Sequence, residues 1–301
     1  MEYLIQTENL KFKYSKNKTV LNNMSINVPK GSIYGFLGPN GAGKSTTMRL
    51  LTGIIPDDDN AISLFGKPIQ EQLPYAFEKI GALVESPALY LHLTGYDNLK
   101  YIATLRNIEL SKIEEVLELV DLTHAKKNKV KQYSLGMKQR LAIAMALLSD
   151  PELLFLDEPV NGLDPNGIVE IRKLLVKLNK EKGVTIFVSS HLLGEIEKMC
   201  THVGIISKGI LKYEGTMEML SKKFNKCKIQ VTLDDASTWV EKFTNKYDNV
   251  KQEDSQKITL NLNNVSEVPE FTRQIIQDGA SVYELKIIEG LEEWFMNLTE
   301  N

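Results

Sequence analysis

Apolar and polar residues near the start of the chain alternate: Leu4–Tyr14 and Leu21–Val28 carry apolar side chains at about every second place, the period of a strand with one face buried. They predict antiparallel pieces that form a small sheet. Elsewhere the alternation disappears. Ile33–Leu37 and Ile80–Val84 read as strands, and Leu153–Leu156 and Val184–Val188 are short apolar runs, the pattern of strands covered on both faces of a mainly parallel sheet. Between the last two, Gly167 to Lys182 reads as a helix. Thr46–Thr52 reads as another, closed by Gly53, and Ala61–Gly66 as a returning strand. From Thr94 to Leu148 the spacing is mostly helical, as in Ile113–Val120, whose apolar residues fall three and four apart. Gly204–Gly215 reads as a terminal hairpin. Strands and helices in this order predict an α/β core carrying a helical insert.

From about Ser221 the composition shifts toward Lys, Asn and Asp. The order there becomes strand (Lys228–Leu233), helix (Ala236–Tyr247), strand hairpin, helix (Val268–Gln277), strand (Ser281–Ile287) and helix (Leu291–Leu298), a split βαβ outline able to bury its own small core. The expected organisation is therefore one domain over residues 1–220, with the helical insert at about 86–150, and a small α+β domain over 221–301. No internal repeat and no low-complexity segment is seen.

Composition narrows the function classes. With 43% hydrophobic and 25% charged residues, the 301-residue chain reads as an ordinary soluble globular protein. A net charge of −3 gives no electrostatic reason to expect nucleic-acid binding, and the basic stretch Lys126–Lys131 reads as a solvated surface loop. No apolar run reaches the ~18–20 residues of a membrane-crossing helix; Leu141–Leu148 has the length of a core helix. The N-terminal Met1-Glu-Tyr-Leu has no charged and then apolar leader, so the cytoplasm is the expected compartment. Cys200 and Cys227 have no metal-ligand spacing and read as reduced packing or surface thiols.

Chemistry enters with the run Gly38, Pro39, Asn40, Gly41, Ala42, Gly43, Lys44, Ser45, Thr46, which matches the phosphate-binding loop G-x-x-x-x-G-K-[ST]. Glycines let backbone N–H groups close on phosphate oxygens, while the following helix presents its positive end. Lys44 supplies a charge at the β- and γ-phosphates, and the Ser45 hydroxyl can ligate Mg²⁺. A nucleoside triphosphate with Mg²⁺ is the expected ligand. A second nucleotide feature follows the apolar run Leu153–Leu156: Asp157 would hold Mg²⁺, and Glu158 is placed to orient or deprotonate the attacking water.

Other segments make the pattern specific. Tyr133-Ser134-Leu135-Gly136-Met137-Lys138-Gln139-Arg140, Asn161-Gly-Leu-Asp164, Ser189-Ser190-His191 and Tyr14 occur in an order and spacing that, with the two nucleotide motifs, resembles the ATP-binding subunit of an ABC transporter over residues 1 to about 215. The resemblance implies that Ser134 and Gly136 belong to a signature segment facing the γ-phosphate held by a second subunit, and that Asp164 lies on a loop crossing that interface. It implies that His191 senses the γ-phosphate and that Tyr14 stacks on adenine. His92, His124 and His202 carry no such context and are expected at the surface.

One position departs from the family. Where most members carry Gln after the strand Ile80–Val84, this chain has Glu85. A carboxylate also ligates Mg²⁺ but adds charge beside the γ-phosphate. The segment Ile80–Tyr90 and the ending Gly290–Thr299 resemble the branch of ABC ATPases that protects against lantibiotics and its bacitracin-resistance neighbour. The resemblance implies a cytoplasmic ATPase acting as a homodimer, two copies binding two ATP head to tail. Separately encoded transmembrane permease subunits would hold it at the inner face of the membrane, with a peptide antibiotic as cargo. Another exported cargo (a drug, lipid or polysaccharide) is an alternative, and so is a soluble ABC ATPase of translation or iron–sulfur assembly. A single phosphate loop argues against the two-cassette translation kind. The C-terminal domain is open between a regulatory or partner-binding module and a stabilising appendage.

Overall fold

The computed structural model describes residues 2–15, 18–85, 88–223, 227–287 and 291–299. They divide into two compact units, one running to Met217 and taking in Leu298, the other Glu218–Asn297.

The first unit opens with β1 (Tyr3–Thr7), β2 (Leu10–Ser15), β3 (Lys18–Met24) and β4 (Asn27–Pro29). The two alternating stretches are thus each broken once, and their halves join different sheets. β1 pairs with β4 and with β6 (Ile62–Leu64), which continues to β7 (Lys67–Pro68); β2 pairs with β3 in a separate two-stranded sheet. The break has a local cause. Asn9 adopts φ 52° and its N–H donates to Ser25 Oγ at 3.0 Å, so the two stretches bend together between Thr7 and Ile26. Asn tolerates this left-handed conformation better than most residues.

A six-stranded sheet forms the centre. Its members are β5 (Ile33–Leu37), β8 (Ile80–Leu83), β9 (Leu153–Asp157), β10 (Thr185–Ser190), β11 (His202–Ser207) and β12 (Ile210–Thr216), ordered β12-β11-β5-β10-β9-β8. All pairings are parallel except that of β12 with β11. β5, β9 and β10 are buried along their whole length, which explains why their sequences do not alternate. Phe187 of β10 lies at the middle, fully buried, with ring centroids 5.3 Å from Tyr34, 5.3 Å from Phe36 and 5.7 Å from Phe155. The register sets Ser190 beside Leu37 and Ser189 beside Asp157, so the C-terminal ends of β5, β9 and β10 finish level. In parallel sheets this edge is where ligands bind.

Helices complete the unit: α1 (Lys44–Leu51), α2 (Gly95–Leu105), α3 (Ser111–Leu119), α4 (Leu135–Leu147), α5 (Pro165–Lys182) and α6 (Leu193–Met199). The helical stretch expected from Thr94 to Leu148 is three helices, α2 to α4, between β8 and β9. Thr94 caps α2, its Oγ1 accepting from Asp97 N at 3.0 Å and donating to Asp97 Oδ2 at 2.6 Å. Thr94→Ala is expected to lower stability by about 1 kcal/mol, the usual worth of such a cap; a shift of the urea midpoint at unchanged slope would measure it. No helix among the described residues is long and apolar enough to cross a membrane. Lys126 is half-buried and paired with Glu114 at 2.7 Å, whereas Lys127 and Lys129 are exposed.

α7 (Met217–Lys223) leads to the second unit, made of β13 (Cys227–Leu233), α8 (Ala236–Thr244), β14 (Asp248–Gln252), β15 (Lys257–Leu262), α9 (Val268–Gln277) and β16 (Val282–Ile287), before α10 (Leu291–Thr299). The sheet is antiparallel with order β14-β15-β13-β16. β13 alternates buried and half-buried residues, and its buried side meets Trp239, Phe243, Phe271 and Ile275 in a separate core. α8 ends at Thr244 rather than Tyr247: Asn245 closes the helix and Tyr247 turns its ring against Phe271, with centroids 5.2 Å apart. Cys200 and Cys227 are both buried and unbridged, and burial pushes the Cys200 thiol far up. Of the residues in the sequence segments singled out above, Met1, Ser86, Pro87 and Gly290 lie outside the described residues.

Candidate nucleotide site

The phosphate-binding run leaves the end of β5 and enters α1, and close packing fixes its path. A Cβ on Gly38 would stand 2.5 Å from Ile206 O. At Gly43, φ is +114° and a Cβ would stand 2.7 Å from Leu21 Cδ2. Only glycine satisfies both the conformation and the space at Gly43. Beyond it the first turn of α1 presents N–H groups that have no partner within the helix, the arrangement that attracts an anion.

Lys44 is 7% exposed, and its Nζ donates to Gly38 O at 2.7 Å and Pro39 O at 3.4 Å, with Glu158 Oε1 at 3.9 Å. Burial lowers its pKa, while the charges of Glu158 and Asp157 act to raise it. The ammonium thus rests on loop carbonyls that a phosphate oxygen can replace.

The acids come from β9 and are aligned by β10. Asp157 ends β9 nearly buried, its Oδ1 accepting from Ser189 Oγ, and that same Oγ accepts the Glu158 N–H at 3.0 Å. Glu158 has φ 49°, which turns the chain out of the strand. Its Oε2 lies 2.6 Å from His191 Nδ1. One carboxylate is therefore held between the loop lysine and the histidine that follows β10.

These groups face a cavity of about 720 Å³ lined by Tyr14, Val20, Asn40, Gly41, Gly43, Lys44, Ser45, Thr46, Glu158, Asn161 and His191. Of the residues expected from sequence, Gly38, Pro39 and Ala42 belong to the loop after β5 and Asp157 ends β9, but none of the four lines it. Ser134, Gly136, Asp164 and Glu85 do not line it either. Ser134 is exposed and caps α4, accepting from Met137 N at 3.2 Å; Asp164 is exposed and caps α5, accepting from Gly167 N at 3.1 Å. The two caps are neighbours, since Leu135 Cδ2 approaches Gly162 and Leu163 packs toward Gly136. Glu85 instead pairs with Arg49 of α1.

Sequence reasoning gave no site role to Val20, Ser189 or Arg49. Val20 precedes the alternating run and carries no chemical signal. Ser189 was legible only as the end of a strand, and Arg49 only as a surface position of a helix. His92 and His124 are exposed as expected, but His202 is half-buried in β11, and burial lowers its pKa.

The site suits a metal that arrives with its nucleotide. Ser45 and Asp157 offer hard oxygen donors of the type Mg²⁺ takes. No group of three or more His, Cys, Asp or Glu among the described residues could cage an ion. Phosphate oxygens and water would have to complete the shell.

The family profile described as ABC transporter matches residues 21–161. The bacitracin transport ATP-binding protein BcrA of Enterococcus faecalis is 47% identical over 227 residues, 75% of this chain and 73% of that protein. BcrA of Bacillus licheniformis is 40% identical over 301 residues, 99% of this chain and 98% of that one. The lantibiotic transport ATP-binding protein SrtF of Streptococcus pyogenes is 43% identical over 226 residues, 74% and 96% of the two chains. Among solved structures, cbiO1 of Clostridium perfringens, described as part of the ABC transporter complex cbiONQ, matches with a TM-score of 0.67 at 28% identity, covering 82% of this chain and 96% of that one.

Proposed function

This chain belongs to the ATP-binding subunits of ABC transporters, and from that premise we propose that it is the ATPase of an exporter that removes a membrane-acting peptide antibiotic. The observation that carries the catalytic half is the Glu158 carboxylate, held 2.6 Å from His191 and 3.9 Å from Lys44 in the lining of one cavity. Lys44 leaves its loop carbonyls for the β- and γ-phosphates, joined by the N–H groups of the loop and of the first turn of α1. Glu158 accepts the proton of the attacking water. His191 steadies that carboxylate through Nδ1 and meets a γ-phosphate oxygen through Nε2. Tyr14 forms a wall for the adenine ring. Mg²⁺, held by Ser45 and through Asp157, would offset charge on the phosphates. Glu85 joins that donor set only by leaving Arg49.

The exposed caps Ser134 and Asp164, side by side on one surface, support a head-to-tail pair. In it, the start of α4, with Ser134 and Gly136, meets the γ-phosphate bound by the other copy. The Glu85 loop and helices α2 to α4 would pass closure on to transmembrane permease subunits at the inner face of the membrane.

Support for the cargo comes from the relatives, two named for bacitracin transport and one for lantibiotic transport. The test is survival of cells that express this chain with its permease partners on lantibiotics, bacitracin and unrelated drugs, with Glu158→Gln as the hydrolysis-deficient control. Protection confined to peptide antibiotics and lost with Glu158→Gln is expected. Protection against unrelated drugs alone would overturn the cargo and leave the ATPase. A finer expectation concerns Glu85→Gln: it should weaken the coupling of turnover to protection by about 0.5–2 kcal/mol, read as lost protection per ATP hydrolysed. Unchanged turnover together with unchanged protection would refute a coupling role for Glu85.

A further inference from the structure

Tyr14 is half exposed in the cavity wall, yet it is held at both ends. Its ring meets Phe12 edge-on, with centroids 4.9 Å apart at 90°. Its hydroxyl accepts from Arg49 Nη1 at 2.9 Å and lies 3.4 Å from Thr46 Oγ1. The same guanidinium turns Nη2 to the Glu85 carboxylate. Glu85 itself has φ 71° directly beyond the last residues of β8, a left-handed conformation uncommon for a residue with a Cβ. Thr46, Tyr14, Arg49 and Glu85 thus form one line of polar contacts from the cavity wall to the loop that leaves the edge strand.

We propose that Arg49 is a positioning residue that holds the Glu85 carboxylate away from the bound triphosphate while fixing the Tyr14 ring in the cavity wall. This rests on the nucleotide reading of the cavity. A carboxylate in the line behind Tyr14 and Thr46, which both line the cavity that would hold the nucleotide, repels an anionic ligand, and it repels a triphosphate more than a diphosphate. Pairing with a guanidinium cancels that charge, and Arg suits the task because it stays protonated and can serve two acceptors through one planar fork. The left-handed turn at Glu85 brings its side chain to the α1 surface that carries Arg49.

The test is equilibrium binding of N-methylanthraniloyl-ATP and N-methylanthraniloyl-ADP to the full chain in magnesium-free buffer, where metal ligation by Glu85 plays no part. Arg49→Ala is expected to lower the ATP-to-ADP affinity ratio about two- to fivefold, the effect of one uncompensated charge that water partly screens. Arg49→Ala combined with Glu85→Gln should restore the wild-type ratio. Equal losses for both nucleotides, or a double variant that stays impaired, would overturn the assignment, because a merely structural arginine behaves in that way. Should Arg49→Ala fail to fold, Glu85→Gln alone decides: it should raise the ratio by leaving the guanidinium unneutralised, and an unchanged or lowered ratio overturns the idea. If the wild-type chain bound neither nucleotide, the nucleotide reading would fall together with this one.

Discussion

Replacing Glu158 by Gln is expected to slow ATP hydrolysis about 10²- to 10⁴-fold, the range that a positioned general base contributes, while ATP binding persists. The amide keeps the shape of the carboxylate and can still hydrogen-bond the His191 ring, so the 2.6 Å contact need not collapse. What it loses is the ability to accept a proton. It also removes the negative charge 3.9 Å from Lys44, which favours an anionic ligand there. Single-turnover hydrolysis and nucleotide binding should therefore separate, with slow turnover and undiminished affinity. If ATP pairs the subunits, the variant should also accumulate as an ATP-bound dimer on size exclusion. Undiminished hydrolysis would remove Glu158 from the chemistry and leave the base to be found elsewhere.

Phe187→Ala is expected to cost about 3–5 kcal/mol of stability, the usual loss for a buried aromatic truncated in a core. Three rings rest on Phe187, those of Tyr34, Phe36 and Phe155, and it is fully buried. Truncation opens a void that these three side chains, on the two neighbouring strands β5 and β9, cannot all move to fill. Against a typical total of about 5–15 kcal/mol, the variant should sit near the limit of folding. Nucleotide affinity should fall with it, because Phe187 lies two residues before Ser189, which aligns Asp157 and the Glu158 N–H. Urea unfolding followed by circular dichroism measures the first effect and nucleotide titration the second. Phe187→Leu, which keeps most of the volume, should lose less of both.

Much of this was readable along the chain because its causes are local. Gly43 must be glycine for reasons that lie in its own φ and its immediate neighbours, so the phosphate loop declares itself in nine consecutive letters. The short apolar runs at Leu153–Leu156 and Val184–Val188 identify strands buried on both faces, and these are two adjacent strands of the central sheet. The alternating N-terminal stretches, by contrast, predict one small sheet, and they divide between two. A bend at Asn9, tied to Ser25 by one hydrogen bond, splits each between two sheets, and alternation does not reveal which partner a strand will choose.

By itself the sequence determined the family, the α/β core with its phosphate loop, and the identities of Lys44, Asp157, Glu158 and His191 as candidates, since each sits at a fixed distance from a local signal. The tertiary structure alone decided how these groups meet. Glu158 and His191 are 33 positions apart and share a 2.6 Å contact because β9 and β10 run parallel and finish level. Ser189 became the residue that aligns both acids, 32 positions from Asp157. Glu85, expected from sequence as a metal ligand, turned to Arg49, 36 positions away. Local conformation follows from the residues nearest in the chain, whereas the partner of a charged or polar group is whichever group strand order and register bring within about 3 Å.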